Sequence, residues 1–111
     1  MLHACVSFKR TALGKEIYLS TDIETDGPIP GANSMLSLGS VAFDAAGSEI
    51  AAFAINLETL PGASADPKTM AWWQTEPAAW QAARTDPVEA GAAMKRYLDW
   101  AVRFKVNRIG F

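Results

Sequence analysis

The order of the predicted elements indicates an α+β domain in which helices cover an antiparallel sheet. Three segments with strand character, 16–24, 34–44 and 49–57, come first, and helical patterns follow from residue 66. Segments rich in Gly, Pro, Asn or Asp separate the strands, as expected of turns and loops. A chain of 111 residues is the length of one small domain.

The first predicted strand ends in two acidic residues, Asp22 and Glu24. Residues two apart in a strand share a face, so these carboxylates are expected to lie side by side. A divalent cation would relieve their mutual repulsion, and Mg²⁺ and Mn²⁺ prefer such oxygen ligands. The alternative is a pair of solvated acids with no function.

The next two strands are predicted to form a hairpin. Residues 34–44 carry apolar side chains at both parities, which is typical of a central strand covered on both faces. The turn Asp44–Ser48 then leads into 49–57, which favours an antiparallel pair. The loop 25–33 before this hairpin contains Gly and Pro residues that exclude a regular element.

The helical part is predicted to cover 66–104. Asp66-Pro67 and Asp86-Pro87 are each typical of a helix start, with an acidic N-cap and proline in the first turn. The adjacent Trp72 and Trp73 would point about 100° apart on a helix. One of them could stack on a nucleic-acid base; alternatively, both belong to the core.

Composition excludes several classes of function. The net charge of −2 provides no overall positive field for nucleic acid, so such a partner would need a local site with metal ions. The single cysteine, Cys5, excludes an internal disulfide. No apolar run reaches the roughly 18 residues of a membrane span, so a cytoplasmic protein is expected. Residues 1–15 show no period and are predicted to be irregular, with His3 having no role.

The stretch TDIETDG followed by SMLSLGSVAFD resembles the first motif of the DEDD-type 3′→5′ exonucleases, which include RNase T, oligoribonuclease and polymerase proofreading domains. The later DPKTMAWWQTEPAAWQAA also resembles a segment of a bacterial subgroup of these enzymes. The resemblance covers roughly residues 18–84. It implies an RNase H-like fold, with an antiparallel three-strand meander extended by parallel strands.

The resemblance also implies a two-metal mechanism with Mg²⁺ or Mn²⁺, acting on single-stranded 3′ ends of RNA or DNA. Asp22 and Glu24 would be metal ligands and catalytic residues. Thr25 and Gly27 would contact the terminal nucleotide through backbone groups. Apart from the resemblance, Trp72 and Trp73 are candidates for binding this nucleotide by stacking.

The chain also departs from the family pattern. Two further acidic ligands and a general base cannot be placed in it, and the pattern breaks off before the later parallel strands. The sequence therefore predicts an incomplete exonuclease domain that is inactive as an isolated chain, with a missing segment or a homodimer completing it. The alternative is a non-enzymatic interaction module, or a decayed gene product, with the same fold.

Overall fold

The computed structural model describes residues 2–9 and 16–105. Four antiparallel strands form one sheet in the order β1-β2-β3-β4. Three helices and a short 3₁₀ helix follow them along the chain. The bounds are β1 Leu2–Lys9, β2 Glu16–Thr25, β3 Met35–Asp44, β4 Glu49–Asn56, α1 Pro67–Gln74, α2 Pro77–Ala83, α3 Ala90–Ala101 and a 3₁₀ turn Val102–Lys105. This arrangement is compatible with the predicted α+β class.

The N-terminal strand corrects the prediction that residues 1–15 are irregular. Residues 2–9 form β1, which pairs with β2 in a register that runs from Leu2 opposite Ile23 to Lys9 opposite Glu16. The outer edge of β2 has unpaired backbone groups that need hydrogen-bond partners, and β1 supplies them. Residues 10–15 and the side chains of His3 and Cys5 lie outside the described part of the structure.

One face of the sheet packs on α3. The buried residues Ile17, Leu19 and Ala42 pack against Trp100 and Ala101 in one cluster. A second cluster joins Leu38 and Leu57 of the sheet region to Ala93 of α3. The described helices leave much of the opposite face open, including Ala52 and Ala54 of β4. The central strands are thus covered on one side rather than on both, which corrects that expectation.

Three hydroxyl groups tie α3 to the sheet within this layer. The Thr21 hydroxyl lies 2.9 Å from the Ser40 hydroxyl and 3.0 Å from the Tyr97 hydroxyl. Both Thr21 and Ser40 are buried, so these bonds satisfy polar groups that water does not reach. These hydrogen bonds hold α3 against the face of β2 that is opposite to Asp22 and Glu24.

Helices α1 and α2 pack at the end of the sheet where β2 and β4 finish and β3 begins. Trp73 and Ala83 bury Leu36 between them. Asp66 caps α1, because its carboxylate accepts a hydrogen bond of 3.0 Å from the Thr69 backbone N–H. The predicted start of α1 at Asp66-Pro67 is therefore confirmed.

The start of α3 differs from the prediction. Asp86 adopts a left-handed backbone conformation with φ of 48°, and the following residues do not enter a helix. Instead, Val88 forms an isolated parallel bridge with Leu57. The helix begins at Ala90, four residues after Asp86, and the carboxylate of the N-cap Glu89 accepts bonds from the backbone N–H groups of Gly91 and Ala92. Backbone pairing along β4 therefore overrides the local Asp-Pro signal.

Among residues 2–9 and 16–105, no helix has both the length and the apolar character that a membrane span requires.

Candidate active site

The two predicted metal ligands lie on the open face of β2. Burial alternates along this strand, with Ile17, Leu19 and Thr21 buried toward α3. Asp22 is exposed and Glu24 is half-buried on the other side. Two residues of a strand span about 7 Å, so both carboxylates can face one ligand. The strand geometry places this pair as the sequence predicted.

A bulge follows Glu24. The β2–β3 register shifts between Glu24 and Thr25, and Thr25 becomes a buried residue. A bulge bends its strand and increases the local twist, and such irregularities are common beside active sites. In this protein, β2 bends directly after Glu24 and leads into the loop that supports α1.

A cavity of about 440 Å³ lies next to this carboxylate pair. Asp22 and Glu24 form one side of it, and Trp72, Trp73 and Glu76 from the α1–α2 region form another. Residues of β3, β4 and α2 complete the wall, namely Ser37, Leu38, Gly39, Ala54, Ile55, Asn56, Ala79, Ala82 and Ala83. None of the described lining residues is basic, so a phosphate group would need a cation to balance these carboxylates.

One carboxylate oxygen of Glu24 has no hydrogen-bond partner among the described residues. Glu24 Oε2 is buried and accepts no hydrogen bond from the described residues. A buried carboxylate oxygen without a partner is costly, since it has lost its hydration. A divalent cation bound there would supply the missing interaction, so the donor set at Asp22 and Glu24 fits a hard metal ion.

The remaining acidic residue of the cavity lies apart from this pair. Within the described residues, no cluster of three or more His, Cys, Asp or Glu side chains could hold a metal ion. Glu76 therefore shares the cavity with Asp22 and Glu24 without forming a three-carboxylate cluster with them. Its side chain makes no capping hydrogen bond at the start of α2.

Glu76 belongs to no sequence motif that predicts a site residue. Its only signal in the sequence is its position directly before Pro77, which indicates a helix start. Its proximity to β2 depends on how α1 and α2 dock on the end of the sheet, and no local pattern encodes that packing.

The two tryptophans differ in exposure and hence in what they can do. Trp73 is only 3% exposed, and its indole Nε1 donates a hydrogen bond of 2.9 Å to the Thr25 carbonyl oxygen. Trp72 is 38% exposed and meets Trp73 edge-on, with 4.8 Å between the ring centroids. Trp73 thus anchors α1 to the end of β2, whereas Trp72 presents an accessible aromatic surface.

The TDG part of the motif builds the supporting loop. Asp26 is buried, and its carboxylate accepts a hydrogen bond of 2.6 Å from the Ser34 backbone N–H. The Asp26 carbonyl accepts a further bond of 2.8 Å from the backbone N–H of Asp66, the N-cap of α1. Asp26 therefore connects the loop after β2 to the start of the helix that carries Trp72.

Thr25 and Gly27, predicted to contact a terminal nucleotide, are both buried. They line a separate small cavity of about 80 Å³ rather than the one that contains Asp22. The Thr25 carbonyl is engaged by Trp73, and a Cβ at Gly27 would lie 2.2 Å from Asn33 Cγ. The structure shows these residues supporting the loop, and their contact with a nucleotide stays a prediction.

Arg84 fixes α2 to the sheet. Its Nη2 donates to the carbonyl oxygens of Leu36 and Leu57, the latter at 2.8 Å, and its guanidinium lies 5.9 Å from the Trp80 ring centroid. Burial lowers the pKa of Arg84, while nearby Asp26 opposes that shift. No sequence motif predicts this role of Arg84, because both of its acceptors are backbone groups.

One comparison with known proteins gives a match. A stretch of 31 residues is 64% identical to the 3′-5′ DNA exonuclease Cap18 of Escherichia coli. It represents 27% of this chain and spans 17% of that relative. No family model matches the chain, and no solved structure matches it. The chain therefore has a nuclease-like relationship over a short stretch, and the family of the whole chain is not established by it.

Proposed function

We propose that this chain carries part of the active site of a 3′→5′ exonuclease that hydrolyses the terminal phosphodiesters of RNA or DNA. The observation that supports this most is the cavity in which Asp22 and Glu24 face the exposed Trp72, with Glu24 Oε2 buried and unpartnered. The local identity to an enzyme named as a 3′-5′ DNA exonuclease supports the same function. We propose an RNase H-like fold for the domain as part of the same assignment.

Asp22 and Glu24 would hold Mg²⁺ or Mn²⁺. A bound divalent ion supplies charge stabilisation to the reacting phosphoryl group and lowers the pKa of a coordinated water. The carboxylates contribute negative oxygen ligands and keep them two residues apart on a rigid strand.

Trp72 would bind the terminal nucleotide by stacking. Its ring is accessible and is supported by Trp73, which in turn is hydrogen-bonded to β2. Base stacking on an aromatic side chain contributes about 1–3 kcal/mol in single-strand binding. This geometry would place a base against α1 and its phosphate toward the carboxylates.

Manganese binding tests the metal site directly. We expect wild type to bind Mn²⁺ in an electron paramagnetic resonance titration, with Asp22→Asn and Glu24→Gln each weakening it by about tenfold or more. Asp99→Asn, at an exposed acid on α3, is the matched control and should leave binding unchanged. Equal binding by all four proteins would contradict the proposed site.

Hydrolysis of 3′-labelled RNA and DNA oligonucleotides with Mn²⁺ tests the reaction. Stepwise shortening that is lost in Asp22→Asn would support an exonuclease, completed here by a second chain. If the chain binds Mn²⁺ through Asp22 without cleaving, the two carboxylates are insufficient alone, and a longer chain or partner must supply the remaining groups. Substrate preference between the RNA and the DNA would follow from the same assay.

A further inference from the structure

Strand β1 brings a histidine to the level of the paired carboxylates. In the β1–β2 pairing, His3 lies directly opposite Asp22. Residues directly opposite each other in an antiparallel pair belong to the same face of the sheet, with about 5 Å between their Cβ atoms. This register places His3 on the open face of the sheet, in the cross-strand position beside the first proposed metal ligand.

The sequence of β1 agrees with this register. The apolar residues of β1 lie opposite the β2 positions on the α3 side of the sheet, namely Leu2, Ala4, Val6 and Phe8 opposite Ile23, Thr21, Leu19 and Ile17. At the other end of the strand, Lys9 lies opposite the acidic Glu16. A slip of one residue would move every apolar residue of β1 to the open face. The alternation in β1 thus favours the register that pairs His3 with Asp22.

The second carboxylate is the diagonal neighbour of His3 on the same face. Glu24 follows Asp22 by two residues, and diagonal positions on paired strands are roughly 7 Å apart, within reach of long side chains. Glu24 Oε2 is buried and has no hydrogen-bond partner among the described residues. On the other side of Asp22, the cross-strand position is Gly39, which has no side chain. The functional groups at this level of the sheet therefore come from β1 and β2.

A histidine at this position changes the set of donor atoms. The side chains that the structure describes form no group of three that could hold a metal ion, and the side chain of His3 is not among them. Its register position adds one imidazole to the two carboxylates. Mg²⁺ favours oxygen ligands, whereas first-row transition metals bind nitrogen and oxygen ligands together.

We infer that His3 is a third ligand of the metal ion held by Asp22 and Glu24, and that it makes the site selective for Mn²⁺ over Mg²⁺. This inference rests on the proposed function, since it uses the same two carboxylates. It gives β1 a part in the site, because the strand that pairs with the outer edge of β2 also supplies a ligand. No local motif predicts this role, since only the pairing of β1 with β2 brings His3 to Asp22.

The chain contains a single histidine, which makes a direct test possible. Untagged protein is prepared with ¹⁵N-labelled histidine, so that His3 is the only labelled residue. Mn²⁺ is added, and electron spin-echo envelope modulation is recorded for labelled and unlabelled protein. We expect a coupling between Mn²⁺ and nitrogen whose frequencies change with the label. This measurement requires neither a substitution nor a substrate.

Affinity and selectivity are tested with one variant and a matched control. His3→Gln removes the imidazole and should weaken Mn²⁺ binding by about tenfold or more. The affinity for Mg²⁺ should change by less than about threefold, since Mg²⁺ gains little from a nitrogen ligand. Ser7→Gln introduces the same side chain farther along β1, opposite Tyr18, and should leave both affinities as in wild type. Thermal melting checks that each variant is folded.

Other results overturn the inference in distinguishable ways. If Mn²⁺ binding depends on Asp22 but shows no coupling to the histidine nitrogen, His3 is not a ligand, and the proposed metal site stands without it. In that case, weaker binding by His3→Gln would show an effect on strand pairing alone. Coupling that persists in Asp22→Asn would place the histidine-bound ion elsewhere. If wild type binds no Mn²⁺, the proposed metal site fails together with the inference.

Discussion

The indole Nε1 of Trp73 donates a hydrogen bond of 2.9 Å to the carbonyl oxygen of Thr25, 48 residues earlier in the chain. This contact joins α1 to the end of the strand that carries Asp22 and Glu24. This contact explains why Trp72 and Trp73 line the same cavity as Asp22 and Glu24.

Trp73→Phe should therefore destabilise the protein while keeping a buried ring in place. The Thr25 carbonyl would lose its buried partner, and we expect the free energy of unfolding to fall by about 1–2 kcal/mol in urea denaturation. Trp72→Phe is the matched control, because Trp72 is partly exposed. Its effect should stay below about 0.5 kcal/mol. Equal losses in both variants would disprove the anchoring role of Trp73.

Gly27→Ala should be destabilising because the loop has no room for a methyl group. The new Cβ would lie 2.2 Å from Asn33 Cγ, and Asn33 in turn donates from Nδ2 to the Ser64 carbonyl at 2.7 Å. We expect a loss of about 1–3 kcal/mol in thermal denaturation.

The cause of that loss can be isolated with a double-mutant cycle. In an Asn33→Ala background the clash is absent, so Gly27→Ala should cost clearly less there than in wild type. Identical costs in both backgrounds would show that the contact with Asn33 is not the reason.

Arg84→Met should weaken the attachment of α2 to the sheet. The variant keeps the apolar stem but removes the donor to the carbonyls of Leu36 and Leu57. We expect a loss of about 2–3 kcal/mol by denaturant titration, since two carbonyls lose a charged donor. Arg103→Met, at an exposed position near the end of α3, is the control and should have little effect. A comparable loss in both would contradict this assignment.

Acid should destabilise the protein partly through Asp66. The backbone and side-chain hydrogen bonds from Thr69 lower the pKa of Asp66 in the folded state. Its contribution to stability is thus complete above about pH 4, near the pKa of an unfolded-chain aspartate, and is lost as pH falls through the lower folded-state pKa.

Thermal midpoints measured from pH 6 to pH 2.5 test this assignment. Asp66→Asn keeps a capping oxygen without the titrating charge, so its midpoint should fall less steeply with acid than that of wild type. If Asp66→Asn follows the wild-type curve, the cap does not titrate as proposed.

Local sequence patterns predicted the sheet's central part well. Alternation in β2, apolar residues at both parities in β3 and clear turn residues between the strands marked β2, β3 and β4, and the observed bounds differ from the predicted ones by one residue at most. The same alternation placed Asp22 and Glu24 together on one face. These features depend on residues that are close together in the sequence, so local patterns are sufficient to predict them.

Other features depend on contacts between distant segments. Strand β1 has a short alternation of apolar residues at Leu2, Ala4, Val6 and Phe8, but its place in the sheet depends on pairing with the outer edge of β2. Glu76 and Arg84 acquire their positions only when α2 docks on the sheet. The Asp86-Pro87 pattern predicts a helix start, but Asp86 has a left-handed backbone conformation and the helix does not begin there. Each of these outcomes is set by tertiary packing rather than by local propensity.

The order of strands in the sheet repeats their order in the chain. Pairings of short sequence separation close with a small loss of loop entropy, so a meander of this kind has a low barrier to assembly. The β2–β3 hairpin already contains both carboxylates, whereas Trp73 must return across 48 residues to reach Thr25. We therefore expect Asp22 and Glu24 to reach their positions on the sheet early in folding. The docking of α1, which brings Trp72 and Trp73 to the cavity, is expected to be the late step that completes the site.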